Sequence, residues 1–265
     1  MQIPAVLFLV YKRPEETRKV LNRILESGTN RIYVSQDGFL PENRMNWIKV
    51  KEILDSIPRN VELIRWEQEC HLGCKKAVSE AISRFFELES EGIILEDDTL
   101  PHPDFFKYAS VLLHRYRSDD SIALVSGTNN NGYIEDGASY GSMLTSNVWG
   151  WASWRRAWKR YDIEMRYWPA LGDSDYFKLA HQSLAKHKQT QYQRTFEGSI
   201  NTWDYQWEGS IMANRMKCII PKRNLVENIG YGPEATHTFE TIPYLYNKVG
   251  EGMEFPLVHP LSLNK

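Results

Sequence analysis

The feature that most constrains this fold is an alternation over residues 1–126, where short apolar, β-branched runs are separated by longer charged stretches of helical period. A strand that is apolar on both sides must be covered on both sides. An intervening helix returns the chain to start the next strand in the same direction, so the pattern predicts a mostly parallel sheet flanked by helices. The expected strands are Ala5 to Val10, Arg31 to Ser35, Val61 to Ile64, Gly92 to Leu95 and Ile122 to Ser126. Pro14 suits the first turn of a helix running to Leu25, with Val20, Leu21, Ile24 and Leu25 on one face and Gly28 ending it. Further helices are expected over Asn43 to Ser56 and Gly73 to Leu88, the second with Ala77, Ala81, Phe85 and Leu88 in register.

Beyond Ser126 the rhythm is lost, and Gly, Asn and aromatic residues dominate from Gly127 to Trp151. The spacing there predicts helices over Trp151 to Tyr161 and Ser174 to His187 and a strand over Lys217 to Pro221, so the C-terminal half is expected to be helical and loop-rich. With 265 residues and neither linker nor repeat, one domain (1–265) is expected, its halves being 1–126 and 127–265. Charge limits the partners: 32 Lys and Arg against 34 Asp and Glu leave no basic field for nucleic acid. The run Ala5 to Val10 is too short for a membrane span and passes directly into Lys12-Arg13-Pro14-Glu15-Glu16. Three cysteines, Cys70, Cys74 and Cys218, do not make a disulfide framework, so a cytoplasmic setting is expected, with any membrane contact peripheral.

In an open α/β sheet, ligands bind beyond the carboxyl ends of the strands. Glu96-Asp97-Asp98 stands at one such end. Three adjacent carboxylates repel one another, and Mg²⁺ or Mn²⁺ would relieve that repulsion while bridging phosphate oxygens; a solvated turn with Asp98 or Asp104 capping the next helix is the other possibility. Asp37-Gly38 stands at a second such end, after the second strand, and Asp-Gly is also a frequent turn pair. Arg13, at the exit of the first strand, is placed to meet phosphate or to lie on the surface.

The segments Val6 to Glu15, Ser35 to Gly38 and Leu95 to Phe106 together resemble nucleotide-sugar glycosyltransferases of the GT-A fold, and most closely bacterial relatives of the N-acetylglucosaminyltransferase I group. The resemblance covers most of the first half and patches of the second. It implies that Glu96-Asp97-Asp98 is a variant DXD motif. On that basis Asp98 contacts the metal (Mn²⁺ or Mg²⁺), Asp97 lies near the donor ribose or sugar with Glu96 beside it, and Asp37 meets the uracil or its ribose. His71 to Val78 is similar to the loop and helix start beside the donor, where Gly73 permits close backbone approach and Lys75 adds charge. Trp149-Gly150-Trp151 corresponds to a segment bordering donor sugar and acceptor; if Trp151 opens a helix, Trp151, Trp154 and Trp158 share one face, which is also what a core helix would show. Trp203-Asp204-Tyr205-Gln206-Trp207 resembles a segment whose aspartate takes the acceptor proton, although only one aspartate stands here. Asp204 is therefore the expected base with Glu208 as its substitute, and a buried cap or ion pair is the alternative. Asn224 to Thr238 is similar to a closing loop in which His237 would reach the diphosphate or the metal, unless it is merely solvated.

The activity implied by the resemblance is metal-assisted transfer of a sugar from a UDP-linked donor to a hydroxyl on a glycan, glycolipid or protein glycan, with inversion if Asp204 is the base. Two other classes remain: a sugar nucleotidyltransferase, which usually carries a Gly-rich phosphate loop where this chain has Tyr11-Lys12-Arg13-Pro14, and a non-catalytic carbohydrate-binding protein.

Overall fold

The computed structural model describes residues 2–129, 134–230, 249 and 252–263. The first apolar run is β1 (Val6–Val10), with all five side chains buried. Pro14 then opens α1 (Pro14–Glu26), Glu15 and Glu16 lie at its positive end, and Gly28 at φ 76° takes the chain out of it. The alternation continues through β2 (Arg31–Gln36), α2 (Arg44–Leu54), β3 (Glu62–Glu67), α3 (Cys74–Leu88) and β4 (Glu91–Glu96). A short β5 (Thr99–Pro101) precedes α4 (Pro103–Arg115) and β6 (Ile122–Ser126).

The second half contributes β7 (Tyr140–Met143), β8 (Trp151–Trp154), α5 (Arg155–Trp158), α6 (Trp168–Leu171), α7 (Asp175–His181), α8 (Ala185–Phe196), α9 (Asp204–Ala213), β9 (Lys217–Pro221) and β10 (Val226–Asn228). Eight strands form one sheet in the order β3-β2-β1-β4-β8-β6-β9-β7, in which β8 and β7 run antiparallel to their neighbours. The fold is thus a mostly parallel sheet flanked by helices, followed by a more helical half. Strand β8 comes from the second half yet lies between β4 and β6 of the first.

Alternating side chains of β1 divide the core. Val6, Phe8 and Val10 pack with Val20, Ile24, Ile53 and Phe105 from α1, α2 and α4. Leu7 and Leu9 face Ile82, Phe85, Trp158 and Trp207 from α3, α5 and α9. The edge strand β3 keeps only Trp66 buried and alternates charge around it, as an unpaired edge favours. Leu88, expected in the α3 stripe, is 57% exposed, and the buried face runs instead through Ala81, Ile82, Phe85 and Phe86.

Two expected helices are corrected. Trp151 to Trp154 is the strand β8, and only Arg155–Trp158 is helical. Three residues apart on a strand, Trp151 and Trp154 point to opposite faces, so they enter different core clusters and do not form a stripe. The helix expected over Ser174 to His187 breaks at Gln182, where φ is 48°, and restarts as α8. Phe177 and Tyr192 would stand about 22 Å apart on one continuous helix. Folding back brings their rings to 5.3 Å, within a satellite cluster that also holds Trp168 and Met212. No helix among the described residues is long and apolar enough to cross a membrane.

Candidate functional site

Strand order reverses at β1, which has β2 on one side and β4 on the other. Loops leaving the carboxyl ends of neighbouring strands diverge at such a reversal and open a crevice. The exits of β1 and β4 meet there. Arg13, just before Pro14, places Nη1 at 3.1 Å from Asp97 Oδ1 and 2.7 Å from Asp98 Oδ2. The Tyr11 backbone N–H donates to Asp97 Oδ2 at 3.1 Å. Asp98 is covered from the other side. Strand β10 pairs with β5 and leads into Ile229, whose N–H donates to the Asp98 carbonyl at 2.8 Å. At Gly230 a Cβ would stand 2.2 Å from Asp98 Oδ2, so this approach requires glycine.

The site is short of positive charge. Burial pushes Asp97 up to about 6 despite Arg13, and it raises Asp98 against the same pull. Glu96 is driven well above the carboxylate range by burial, then by Asp98, Asp97 and Asp204. Burial works against the Arg13 guanidinium, but Asp97 and Asp98 outweigh it and hold the group charged. Only Nη1 of Arg13 is engaged; Nε and Nη2 have no acceptor among the described residues.

Asp37 fastens the neighbouring loop. Its Oδ1 accepts the N–H groups of Gly38 and Leu72, both at 2.9 Å, and Oδ2 accepts that of Gly73 at 3.1 Å. His71 Nδ1 lies 2.7 Å from Oδ2, with its ring stacked on Tyr11. The loop is pressed so closely to β2 that a Cβ on Gly38 would stand 2.2 Å from the Cys70 carbonyl carbon. Gly73, at φ 78°, precedes α3, and the half-buried Lys75 donates its backbone N–H to Asn201 Oδ1 at 2.9 Å. Through Asn201 this loop reaches the segment that opens α9.

Asp204 is the first residue of α9 and accepts the Thr202 hydroxyl and the Tyr205 N–H. Its charge acts on Glu96 across the crevice. Cys74, in the first turn of α3, is raised by burial and then by Glu96, Asp204, Asp37 and Asp98, so carboxylates from the β2 and β4 exits and from α9 all act on one helix start. Sequence reading met Cys74 only as one of three cysteines, because nothing local signals that convergence.

Other expected residues lie elsewhere. Glu208 is buried: its carboxylate accepts the Tyr192 hydroxyl at 2.8 Å and the Ser146 N–H at 2.9 Å, with Lys188 Nζ at 3.8 Å. Lys188 and Tyr192 share a face of α8, a link hidden when the helix was expected to stop at His187. Trp151 is fully buried and stacked against Trp203 at 5.8 Å, which leaves no face for a sugar. Gly150, at φ 63°, is packed beneath Val226, and Trp149 is half-buried. His237 lies outside the described residues. Among the described residues no group of three or more His, Cys, Asp or Glu side chains is arranged to hold a metal. With Arg13 on both Asp97 and Asp98, the donor set in this arrangement does not fit the expected Mn²⁺ or Mg²⁺.

No family model and no curated protein matches the chain. Among solved structures it is similar to the mannosyltransferase PcManGT from Pyrobaculum calidifontis in complex with GDP-Man and Mn²⁺, at 12% identity over 81% of this chain and 70% of that one, TM-score 0.46. It is similar to a UDP-glucose pyrophosphorylase complexed with UDP-glucose, at 8% identity over 86% and 94%, TM-score 0.45. HddC from Yersinia pseudotuberculosis is similar at 12% identity over 63% and 85%, TM-score 0.39. These are likenesses of outline and assign no activity.

Proposed function

We propose that this chain is an enzyme of nucleotide-diphosphate sugars that transfers the sugar to an acceptor hydroxyl. The observation that supports it is the meeting of Arg13, Asp97 and Asp98 at the strand reversal, with Asp204 near enough to act on the adjoining Glu96. In this mechanism Arg13 turns its unengaged Nε and Nη2 to the diphosphate, where a guanidinium fork matches two phosphate oxygens. Asp97 and Asp98 hold that fork in place. Asp204 accepts the proton of the attacking hydroxyl as the new C–O bond forms and the bond to the diphosphate breaks with inversion. The acceptor is a glycan, a glycolipid or a protein glycan, and a UDP-linked sugar is the first donor to try.

Sugar nucleotidyl transfer fits the same crevice and is the second possibility, since strand reversals of this kind bind nucleotides whatever the chemistry. Against it, the β1 exit holds Tyr11-Lys12-Arg13-Pro14 with no glycine. A panel of nucleotide sugars, each tested with and without Mn²⁺ and with and without pyrophosphate, separates the two. Slow release of nucleoside diphosphate supports glycosyl transfer, whereas pyrophosphate-dependent release of nucleoside triphosphate supports the other. Asp204→Asn is expected to keep donor affinity and lose turnover; full turnover in that variant removes its role as base.

A further inference from the structure

A cavity of about 560 Å³ lies at the opposite end of the sheet, between the start of β4 and α5. From Glu91 there to Glu96 the strand runs about 17 Å, so the crevice and this cavity are separate places. Five cationic residues line it, Arg117, Arg155, Arg156, Lys159 and Arg160, against the two carboxylates of Glu91 and Asp120. Those two are already engaged. Glu91 accepts both Nε and Nη2 of Arg117, at 2.9 and 2.7 Å, and Asp120 stands 3.8 Å from Arg156.

Arg156 is a fixed wall. It donates to the carbonyls of Arg117, Ile122 and Tyr116 at 2.8–2.9 Å and lies 4.3 Å over the Trp154 ring. Burial holds its pKa below the usual value, a sign that local negative charge is insufficient. Arg155 spends only Nε, on the Glu89 carbonyl at 3.2 Å. Lys159 and Arg160 are exposed and have no carboxylate within 4.0 Å among the described residues. A basic turn at a helix end is ordinary, because cations suit the carbonyl terminus. But α5 has four residues, too few to account for this many cations gathered round one cavity.

We propose that this cavity binds a phosphate-bearing anion, with the Arg155, Lys159 and Arg160 side chains as its mobile donors and Arg156 as its rigid wall. Its volume is that of a small-molecule site, and guanidinium groups pair with phosphate through two parallel hydrogen bonds. The phosphate belongs either to a soluble metabolite or to an anionic lipid headgroup, and these two sources call for different probes.

Inorganic pyrophosphate is titrated by calorimetry into the wild type, Lys159→Ala/Arg160→Ala and Arg13→Ala, and sedimentation with phosphatidylglycerol vesicles is measured for the same proteins. Both substituted residues of the double variant are exposed, so its folding is not in question. The expected result is two classes of pyrophosphate site in the wild type, of which Arg13→Ala keeps the cavity's and the double variant keeps only the crevice's, its cavity binding weakened about tenfold or more. Vesicle binding that pyrophosphate competes away identifies the headgroup source; pyrophosphate binding without vesicle binding identifies the soluble one. A pyrophosphate isotherm that is the same in the wild type and the double variant, or loss of all pyrophosphate binding in Arg13→Ala, overturns the proposal.

Discussion

Replacing Asp97 by Asn tests whether the crevice carries the charge deficit described above. Asp97 is buried, with a side chain 7% exposed, and its pKa rises from an ordinary 3.8 to about 6 in the folded protein. Since the folded state binds the proton more tightly than the unfolded state, this group stabilises the fold fully below pH 3.8, and that contribution is lost as pH rises through about 6. A shift of about two units corresponds to about 3 kcal/mol. Asparagine does not titrate, and removing the charge also eases Glu96, which Asp97 helps to push up. Urea unfolding of both proteins from about pH 4 to about pH 7 should therefore show the variant gaining about 3 kcal/mol on the wild type across that window. The absolute difference at any one pH also includes the lost Arg13 pair, so the change with pH is what matters. Parallel stability curves would show that Asp97 ionises freely and that the crevice has no deficit.

Gly38→Ala drives a Cβ into the Cys70 carbonyl carbon at 2.2 Å, and backbone on both sides leaves nothing to yield. A loss of about 2 kcal/mol or more is expected in urea unfolding, together with weaker donor binding as the loop to Gly73 shifts. Glu208→Ala strands the Tyr192 hydroxyl and Lys188, whose side chain is 30% exposed and rehydrates in part. About 3 kcal/mol should be lost with kcat per folded molecule unchanged, and a fall in kcat at full folding would make Glu208 a participant in the chemistry.

The parallel core was legible because β1, β2, β4 and β6 carry apolar runs buried on both faces, and β9 was legible for the same reason. Strand β8 was not. Its Trp-Ala-Ser-Trp is buried throughout, so it lacks the polar positions that distinguish period two from period 3.6. The acidic exit of β4 was visible as charge crowding, but its partner was not, since Arg13 and Asp98 are 85 positions apart and only the pairing of β1 with β4 joins them. Asp37 was seen as a turn residue or a nucleotide contact; that three backbone amides converge on it depends on the path of a loop more than 30 residues later.

The insertion of β8 between β4 and β6 bears on how such a chain can diversify. Exchanging everything after residue 126 for another module would pull a plank from the middle of the sheet, leaving β6 without its link to β4. New binding preferences must therefore arise by remodelling the excursions hung between strands, such as the one from α5 to α9, and not by shuffling whole halves.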